Sequence, residues 1–350
     1  MSAAPARIGE RDLTAFATAL LVAAGVSAAM AEAWAEALVW ANLRGVDSHG
    51  VLRIPRYVEL LQKGTVNPSP VIRVERRVGA IAVLEADLAP GPIAMMRAMD
   101  EALTAARTHG LGWCAARNIT HAGAVGYVAL RAAEAGFIGI AMTASGPMMA
   151  YPGTRTAALS TNPLTIAFPA GRRRPFLLDM STSTAALGKV LSARDAGRSI
   201  PLGWGIDRNG HDTSDPKAVE TLLPLGGPKG AGLSFMIECL CSLTTGNPII
   251  SAALEAGGSL DAPYLNGATF AIDLAAFGDP AAIRAEADRM GDALLKLPKA
   301  DGADHIFLPG ERGDSVRMER ERDGIVLAAG TWTRLHALAD RLGVPHPKTS

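Results

Sequence analysis

The apolar positions of this chain change period along its length. Leu13, Phe16, Ala17, Leu20 and Leu21 follow the i, i+3, i+4, i+7, i+8 spacing of one helix face. Met30, Trp34, Leu38 and Ala41 make a second such stripe, with Ser27 placed as its N-cap. A third helix is expected over roughly 51–63, with Pro55 tolerated only in its first turn; Gly64, Pro68 and Pro70 then end the helical part. From about residue 78 the runs AIAVLEA (80–86), GWCAAR (112–117) and FIGIAMT (137–143) read as strands. Ala-rich helical stretches near 93–108 and 124–135 separate them, an alternation that predicts parallel βαβ pairing. Later strands are expected at LTIAFP (164–169), PFLLDM (175–180) and GATFAID (267–273), and helices at 229–244, 280–296 and over the closing TWTRLHALADRLGV. That last helix is expected to pack back on the first ones, since chain ends often lie close together. A helical domain of residues 1–74 with 314–350, around an α/β domain of residues 75–313, accommodates these elements.

Composition narrows the classes. The 350 residues carry 34 Lys+Arg against 34 Asp+Glu, and aromatics make up 5%. A basic stripe or a base-stacking platform is therefore not expected, and nucleic acid is not an expected partner. The apolar stretch 13–43 is interrupted by Glu32 and Glu36 and does not read as a membrane span. The opening MSAAPARIGERDLTAF carries Glu10 and Asp12 before any apolar run, so no signal peptide is expected and the cytoplasm is the expected location. Cys114, Cys239 and Cys241 fit no zinc or redox spacing and read as small buried hydrophobes.

Strand–helix alternation invites a Rossmann reading, but no strand is followed by G-x-G-x-x-G. GGPKGAG (226–232) lacks the end of a P-loop, no G-x-S-x-G marks a serine hydrolase, and the seven histidines show no H-x-x-x-H. Asp47-Ser48-His49-Gly50, followed by Arg53 and Tyr57, is the first constellation with chemistry. His49, Arg53 and Tyr57 are four apart and would share one face of a helix. An imidazole suits proton transfer, a guanidinium suits bidentate carboxylate capture, and Ser48 can orient the ring. The ordinary reading of the same residues is a helix-start cap. Asn118-Ile119-Thr120-His121-Ala122-Gly123-Ala124-Val125-Gly126 lies after a strand and before a helix, where backbone N–H groups attract phosphate; an ordinary βα turn is the alternative. Ser160-Thr161-Asn162-Pro163 is a polar turn, and Leu178-Asp179-Met180 ends a strand where a carboxylate can meet a ribose. Lys229-Gly230 opens an apolar helix, a place where a cation opposes the helix dipole unless an anion is near. Arg172, Arg173 and Arg174 read as a solvated hairpin tip.

These segments together resemble one family, the type-2 malate/L-lactate dehydrogenases. That group includes L-sulfolactate, ureidoglycolate and 2,3-diketogulonate oxidoreductases and the Δ1-piperideine-2-carboxylate reductases. The resemblance runs from about Leu13 to Val344. It is carried by RGVDSHGVLRIPRYVELLQKG (44–64), NITHAGAVGYVALRAAEAGFIGIAMT (118–143), STNPLTIAFP (160–169), LLDMSTSTAALGKV (177–190), IPLGWGIDRNG (200–210) with TSDP (213–216), LPLGGPKGAGLS (223–234) and LPGERG (308–313). It implies a non-Rossmann, mixed-sheet nicotinamide-binding domain beside a helical domain built from both termini, a homodimer, NAD(P)H as cofactor, and no metal. It implies hydride transfer on a small 2-oxo or 2-hydroxy carboxylate, or alternatively on a cyclic 2-imino acid; a silent dinucleotide-binding protein is the reading from another class.

The resemblance further assigns His49 as proton donor or acceptor, Ser48 as its support and Arg53 as carboxylate anchor; the spacing adds Tyr57 on the substrate side. His121 matches a second histidine, catalytic in some members and cofactor-facing in others; we place it against the nicotinamide. His121, Ala122, Gly123, Ala124, Val125, Leu178, Asp179, Met180, Lys229, Gly230, His305, Pro309, Gly310 and Glu311 match cofactor contacts, and Ser160 and Thr161 a substrate-side turn. The chain departs from the family in N-I-T-H-A-G (118–123), T-A-S (143–145) and S-T-N-P (160–163), positions that bear on substrate identity.

Overall fold

The first apolar stripe becomes the helix Glu10–Ala23, which buries Leu13, Phe16, Ala17, Leu20 and Leu21. The second becomes Ala28–Leu43, with Ser27 at the N-cap position but no capping bond from its side chain. The computed structural model describes residues 7–257 and 264–348; the chain start read for a signal peptide therefore lies partly outside the described residues. The closing helix, Ala329–Leu342, does return to the first ones: Trp332, Leu335 and Leu338 share one buried cluster with Leu13, Leu20, Trp34 and Val58. A short antiparallel pairing of Arg7–Ile8 with Ile325–Val326 ties the two ends of the chain together.

The six expected strands, with one more before them, Arg73–Val78, form a seven-stranded mixed sheet. Its order is Arg73–Val78, Ile81–Glu85, Leu111–Ile119, Leu265–Asp273, Phe137–Ala144, Leu164–Phe168, Phe176–Met180. The parallel pairing expected from the alternation holds for one neighbour pair, Ile81–Glu85 with Leu111–Ile119, joined through the helix Gly91–His109. The next crossover, through the helix Gly126–Glu134, does not bring its two strands together. Leu265–Asp273 inserts between them, antiparallel to both. Local periodicity reports a crossover; it carries no information about a strand arriving from more than a hundred residues away.

The sheet is covered on both faces. Along Phe137–Ala144, Ala141 points to the side of helices Gly91–His109 and Gly126–Glu134, while Met142 and Ala144 meet Ile237 and Cys241 from the opposite side. That second layer is the helix Pro228–Glu238, continued by a π-turn over Cys239–Leu243. Cys114 and Cys241 are buried and all three cysteines are unpaired. Among the described residues no helix is long and apolar enough to cross a membrane.

Candidate active site

The segment expected as one helix over 51–63 folds in three pieces. Two 3-10 turns, Asp47–His49 and Val51–Arg53, precede the helix Ile54–Gln62, which carries Pro55 in its first turn. Gly50 breaks the run with an extended backbone (φ −89°, ψ −155°). His49, Arg53 and Tyr57 therefore do not share one helical face, contrary to their i, i+4 spacing. They converge all the same, because the turns bend the chain around His121.

His121 follows the strand Leu111–Ile119 and precedes the helix Gly126–Glu134. Its ring stacks on that of His49, centroids 5.6 Å apart and planes 18° from parallel. The Tyr57 hydroxyl lies 2.8 Å from His121 Nδ1, and the backbone N–H of Gly123 donates to the same nitrogen at 3.3 Å. On the other ring, Ser48 Oγ lies 2.9 Å from His49 Nδ1. Arg53 donates Nε–H to the Ser48 carbonyl at 2.7 Å, and among the described residues no carboxylate pairs with its guanidinium. The start of the helix Leu187–Asp195 closes on this group: a Cβ on Gly188 would lie 3.1 Å from that of Ser48.

Burial and charge set the protonation of this cluster. Desolvation, with the Arg53 charge beside it, pushes His49 down to about 4. Burial, then the neighbouring His49 and Arg53, push His121 down to about 3. Burial raises the Tyr57 phenol well above its usual range, so it stays protonated and donates to His121. Near neutral pH both imidazoles are uncharged, and their free protons are set by their partners. A nitrogen that accepts from the Gly123 amide carries no proton, so neutral His121 holds its proton on Nε2.

The remaining candidates lie on several segments around this cluster or apart from it. Thr165 donates to Asp179 at 2.8 Å. Part of Asp179 is open to solvent, yet its carboxylate is packed in among protein atoms, which raises its pKa; it accepts from Thr165 and from the Gly126 amide. The helix N-terminus expected to attract a phosphate thus already holds a carboxylate. Pro309 and Gly310 pack on the same strand, the Pro309 carbonyl accepting from Leu177 at 3.0 Å. Glu311 accepts from the Leu308 amide at 2.9 Å and pairs with Arg173. Arg172 and Arg174 are exposed, as expected of a hairpin tip, while Arg173 is drawn in and pairs with Asp292 as well. Leu178 is exposed and Met180 partly so. His305 is exposed and packs on Phe307, apart from the other candidates among its described contacts.

Ser160 is buried, 2.5 Å from Ser145 Oγ, and its carbonyl accepts from Ser234 at 2.7 Å. Thr161 accepts from the Thr182 amide at 3.1 Å. Thr182 in turn backs onto Gly230, where a Cβ would fall 2.5 Å from the Thr182 carbonyl. Lys229 is exposed at the start of the helix Pro228–Glu238, after Gly226 and Gly227 at φ 57° and 61°, with no ion pair among the described residues. Ala122 and Val125 are buried, and Ala124 is half-buried beside the core of the helix they introduce.

Several residues that build the site gave no such signal in the sequence. Gly91 lies under the His121 loop: a Cβ there would fall 2.3 Å from the Thr120 carbonyl and 2.4 Å from that of His121. Asn118 sits at φ 55°, with Asp87 and Leu88 beside it at 54° and 55°. A lone Asn42 at the end of an apolar helix was a visible signal, and it is buried against the His49 turn.

The sequence matches the malate/L-lactate dehydrogenase family over residues 8–336. The chain belongs to that family. It is 35% identical to a malate dehydrogenase of Pyrococcus horikoshii, over 97% of this chain and 96% of that one. It is also 35% identical to an NAD+ ureidoglycolate dehydrogenase of Escherichia coli, over 87% and 88%. The solved Δ1-piperideine-2-carboxylate reductase of Pseudomonas syringae pvar. tomato superposes with a TM-score of 0.84 at 29% identity, over 95% and 99% of the two chains. The protein is accordingly an oxidoreductase enzyme, and its relatives imply a nicotinamide cofactor.

Proposed function

We propose that this enzyme interconverts a small 2-hydroxy acid and its 2-oxo acid, with His49 as the acid/base and Arg53 as the carboxylate anchor. One observation carries the assignment of roles: the Gly123 amide commits His121 Nδ1 to accepting, which leaves His121 Nε2–H as a donor and His49 as the imidazole free to take a proton. Bound nicotinamide supplies or accepts a hydride at the substrate carbon. Arg53 keeps its terminal N–H groups for a carboxylate, since its Nε is already spent on the Ser48 carbonyl. His121, held by Tyr57 and Gly123, offers its Nε2–H to the substrate side or to the cofactor ring. His49 receives the hydroxyl proton in the oxidising direction and returns it in the other, with Ser48 Oγ fixing its ring. The depressed pKa of His49 owes its second part to the Arg53 charge. A substrate carboxylate on Arg53 offsets that charge and raises His49 toward the range where it can hold a proton.

Lys229 at its helix start, Leu178–Met180 and the turn Pro309–Glu311 are the residues that would hold the dinucleotide, in a fold without the Rossmann fingerprint. The same reading includes the division into residues 1–74 with 314–350 and 75–313, a homodimer, and a cytoplasmic location. A cyclic 2-imino acid is the second reading, favoured by the likeness to the piperideine carboxylate reductase. The test is NADH and NADPH oxidation over pyruvate, oxaloacetate, glyoxylate derivatives and Δ1-piperideine-2-carboxylate. Turnover of at least one 2-oxo acid is expected, with Arg53→Lys raising its KM sharply because lysine cannot reproduce the fork. Tight dinucleotide binding with no turnover of any of these acids would leave a silent binding protein.

A further inference from the structure

Asp47 stands immediately before the Ser48–His49 pair and is gripped from a distant part of the chain. Arg320, on the helix Glu311–Asp323, donates Nη1–H to Asp47 Oδ1 at 2.7 Å and Nη2–H to Oδ2 at 3.0 Å. Its Nη1 also reaches the Asn42 carbonyl. Asn42 closes the arrangement: its Nδ2 donates to Asp47 Oδ1 at 2.7 Å, and its Oδ1 accepts from the Val51 amide at 2.9 Å. One buried amide therefore spans both 3-10 turns, with His49 between its two contacts. Gly50 has no room for a side chain, since a Cβ would fall 2.2 Å from Asn42 Oδ1. A bidentate guanidinium–carboxylate pair fixes direction as well as distance. In the turn it fixes, Asp47, Ser48 and His49 are all partly buried and none is fully so.

We propose that Arg320 is a positioning residue for His49, acting through Asp47 and Asn42 and touching no reacting atom. The proposal rests on the acid/base role given to His49 above, and its first readout does not need that role. Displacement of a reacting group by about 1 Å costs on the order of a hundredfold, so a loosened turn should cost chemistry before it costs folding.

The experiment compares the full-length wild type with Arg320→Gln and Arg320→Lys, using protein labelled with 15N at histidine, without ligand, at one pH near 7.5. His49→Gln and His121→Gln assign the two signals. In the wild type His49 should show one fixed tautomer. In Arg320→Gln its two nitrogen shifts should average, while His121, held by Gly123 and Tyr57, stays unchanged. In parallel, kcat on the preferred acid should fall roughly tenfold to a hundredfold, with KM for acid and dinucleotide within about twofold, and Arg320→Lys should recover part of it. A folded Arg320→Gln whose His49 signal keeps its wild-type shifts overturns the proposal. So does a loss of fold in both Arg320→Gln and Asp47→Asn, which would make the pair a structural tether. If the wild type turns over none of the acids, the functional reading fails while the His49 signal still decides the clamp.

Discussion

The two imidazoles of the site stack on each other but are held by opposite means. The His49 turn is held by side chains: Asn42, Asp47 and Arg320 form a polar clamp whose members come from both ends of the chain. The His121 loop is held mainly by backbone, with the Thr120 hydroxyl and the Asn118 side chain added. Gly91 lies against the carbonyls of Thr120 and His121, the Thr120 amide donates to the Ala89 carbonyl at 3.1 Å, and the Leu88 amide donates to that of Asn118 at 2.8 Å. The three non-glycine residues with left-handed φ among the described residues, Asp87, Leu88 and Asn118, all lie at this one place. Strain of that kind persists only where surrounding bonds over-determine it. The socket under His121 cannot yield without breaking several backbone bonds at once. The clamp under His49 rests on a few side-chain bonds and loosens when one partner is replaced. The proposed acid/base thus depends on replaceable side-chain contacts, and the proposed fixed donor mainly on backbone.

The strongest way to break this division of labour is to delete each ring in turn. His49→Ala should lower kcat by about 10²–10⁴-fold, the usual worth of a general acid or base, with dinucleotide affinity retained. It should also abolish the acid limb of the kcat/KM profile for the 2-hydroxy acid, which in the wild type falls as pH drops toward about 4. His121→Ala should lower turnover too, but keep that limb. A profile in which His121→Ala removes the limb and His49→Ala leaves it would exchange the two roles.

The next effect is on stability. Both histidines titrate below the ordinary 6.5, at about 4 and about 3, chiefly because they are buried. Between those values and 6.5 the unfolded chain binds more protons than the folded one, so stability rises with pH across this window. The contribution is fully present above 6.5 and is lost as pH falls toward 4 and then 3. Both rings keep some solvent contact, which limits the loss to a few kcal/mol at most. By urea unfolding, stability should fall less steeply between pH 7 and pH 5 in both His121→Gln and His49→Gln than in the wild type, by similar amounts, since both folded rings stay neutral in that window. Equal slopes in all three proteins would mean that neither ring is held neutral by burial.

The comparison also explains what the sequence could and could not tell. The helix Glu10–Ala23 was legible to the residue, since its five expected apolar positions are the five that are buried. Local period is enough for an element whose whole buried face lies within one stretch of chain. The Asp47–Gly50 motif was legible as chemistry but not as geometry, because spacing cannot show that Gly50 breaks the helix. The insertion of Leu265–Asp273 into the sheet and the arrival of Arg320 at Asp47 had no local trace, since each is a pairing across more than a hundred residues. Arg320 lies in the run E-R-E-R, which reads as a solvated charged face. The helix Glu311–Asp323, a stretch for which the sequence gave a domain but no element of its own, is therefore the largest omission on the site's own account.

The smallest effect probes the socket under His121. Asn118 stands at φ 55°, donates from Nδ2 to the Glu85 oxygens at 2.9 and 3.1 Å, and accepts at Oδ1 from Asn247 at 3.0 Å. Its own amide donates to Asn266 Oδ1 at 3.3 Å. Alanine and glycine at this position both remove the side-chain bonds, and Glu85 keeps Arg117 and the Asp87 amide in either case. The two variants differ in what the left-handed backbone costs them: about 1–2 kcal/mol for alanine, against a conformational entropy cost of roughly 0.5–1 kcal/mol for glycine. If the backbone conformation is what supports the loop, Asn118→Gly should be the more stable variant by up to about 1 kcal/mol in urea unfolding, and should keep the His121 tautomer that Asn118→Ala loosens. Were alanine to equal or exceed glycine, the conformation at 118 would have relaxed without consequence. The loop would then be held by side chains after all, and the contrast between the two histidines would reduce to a difference in burial.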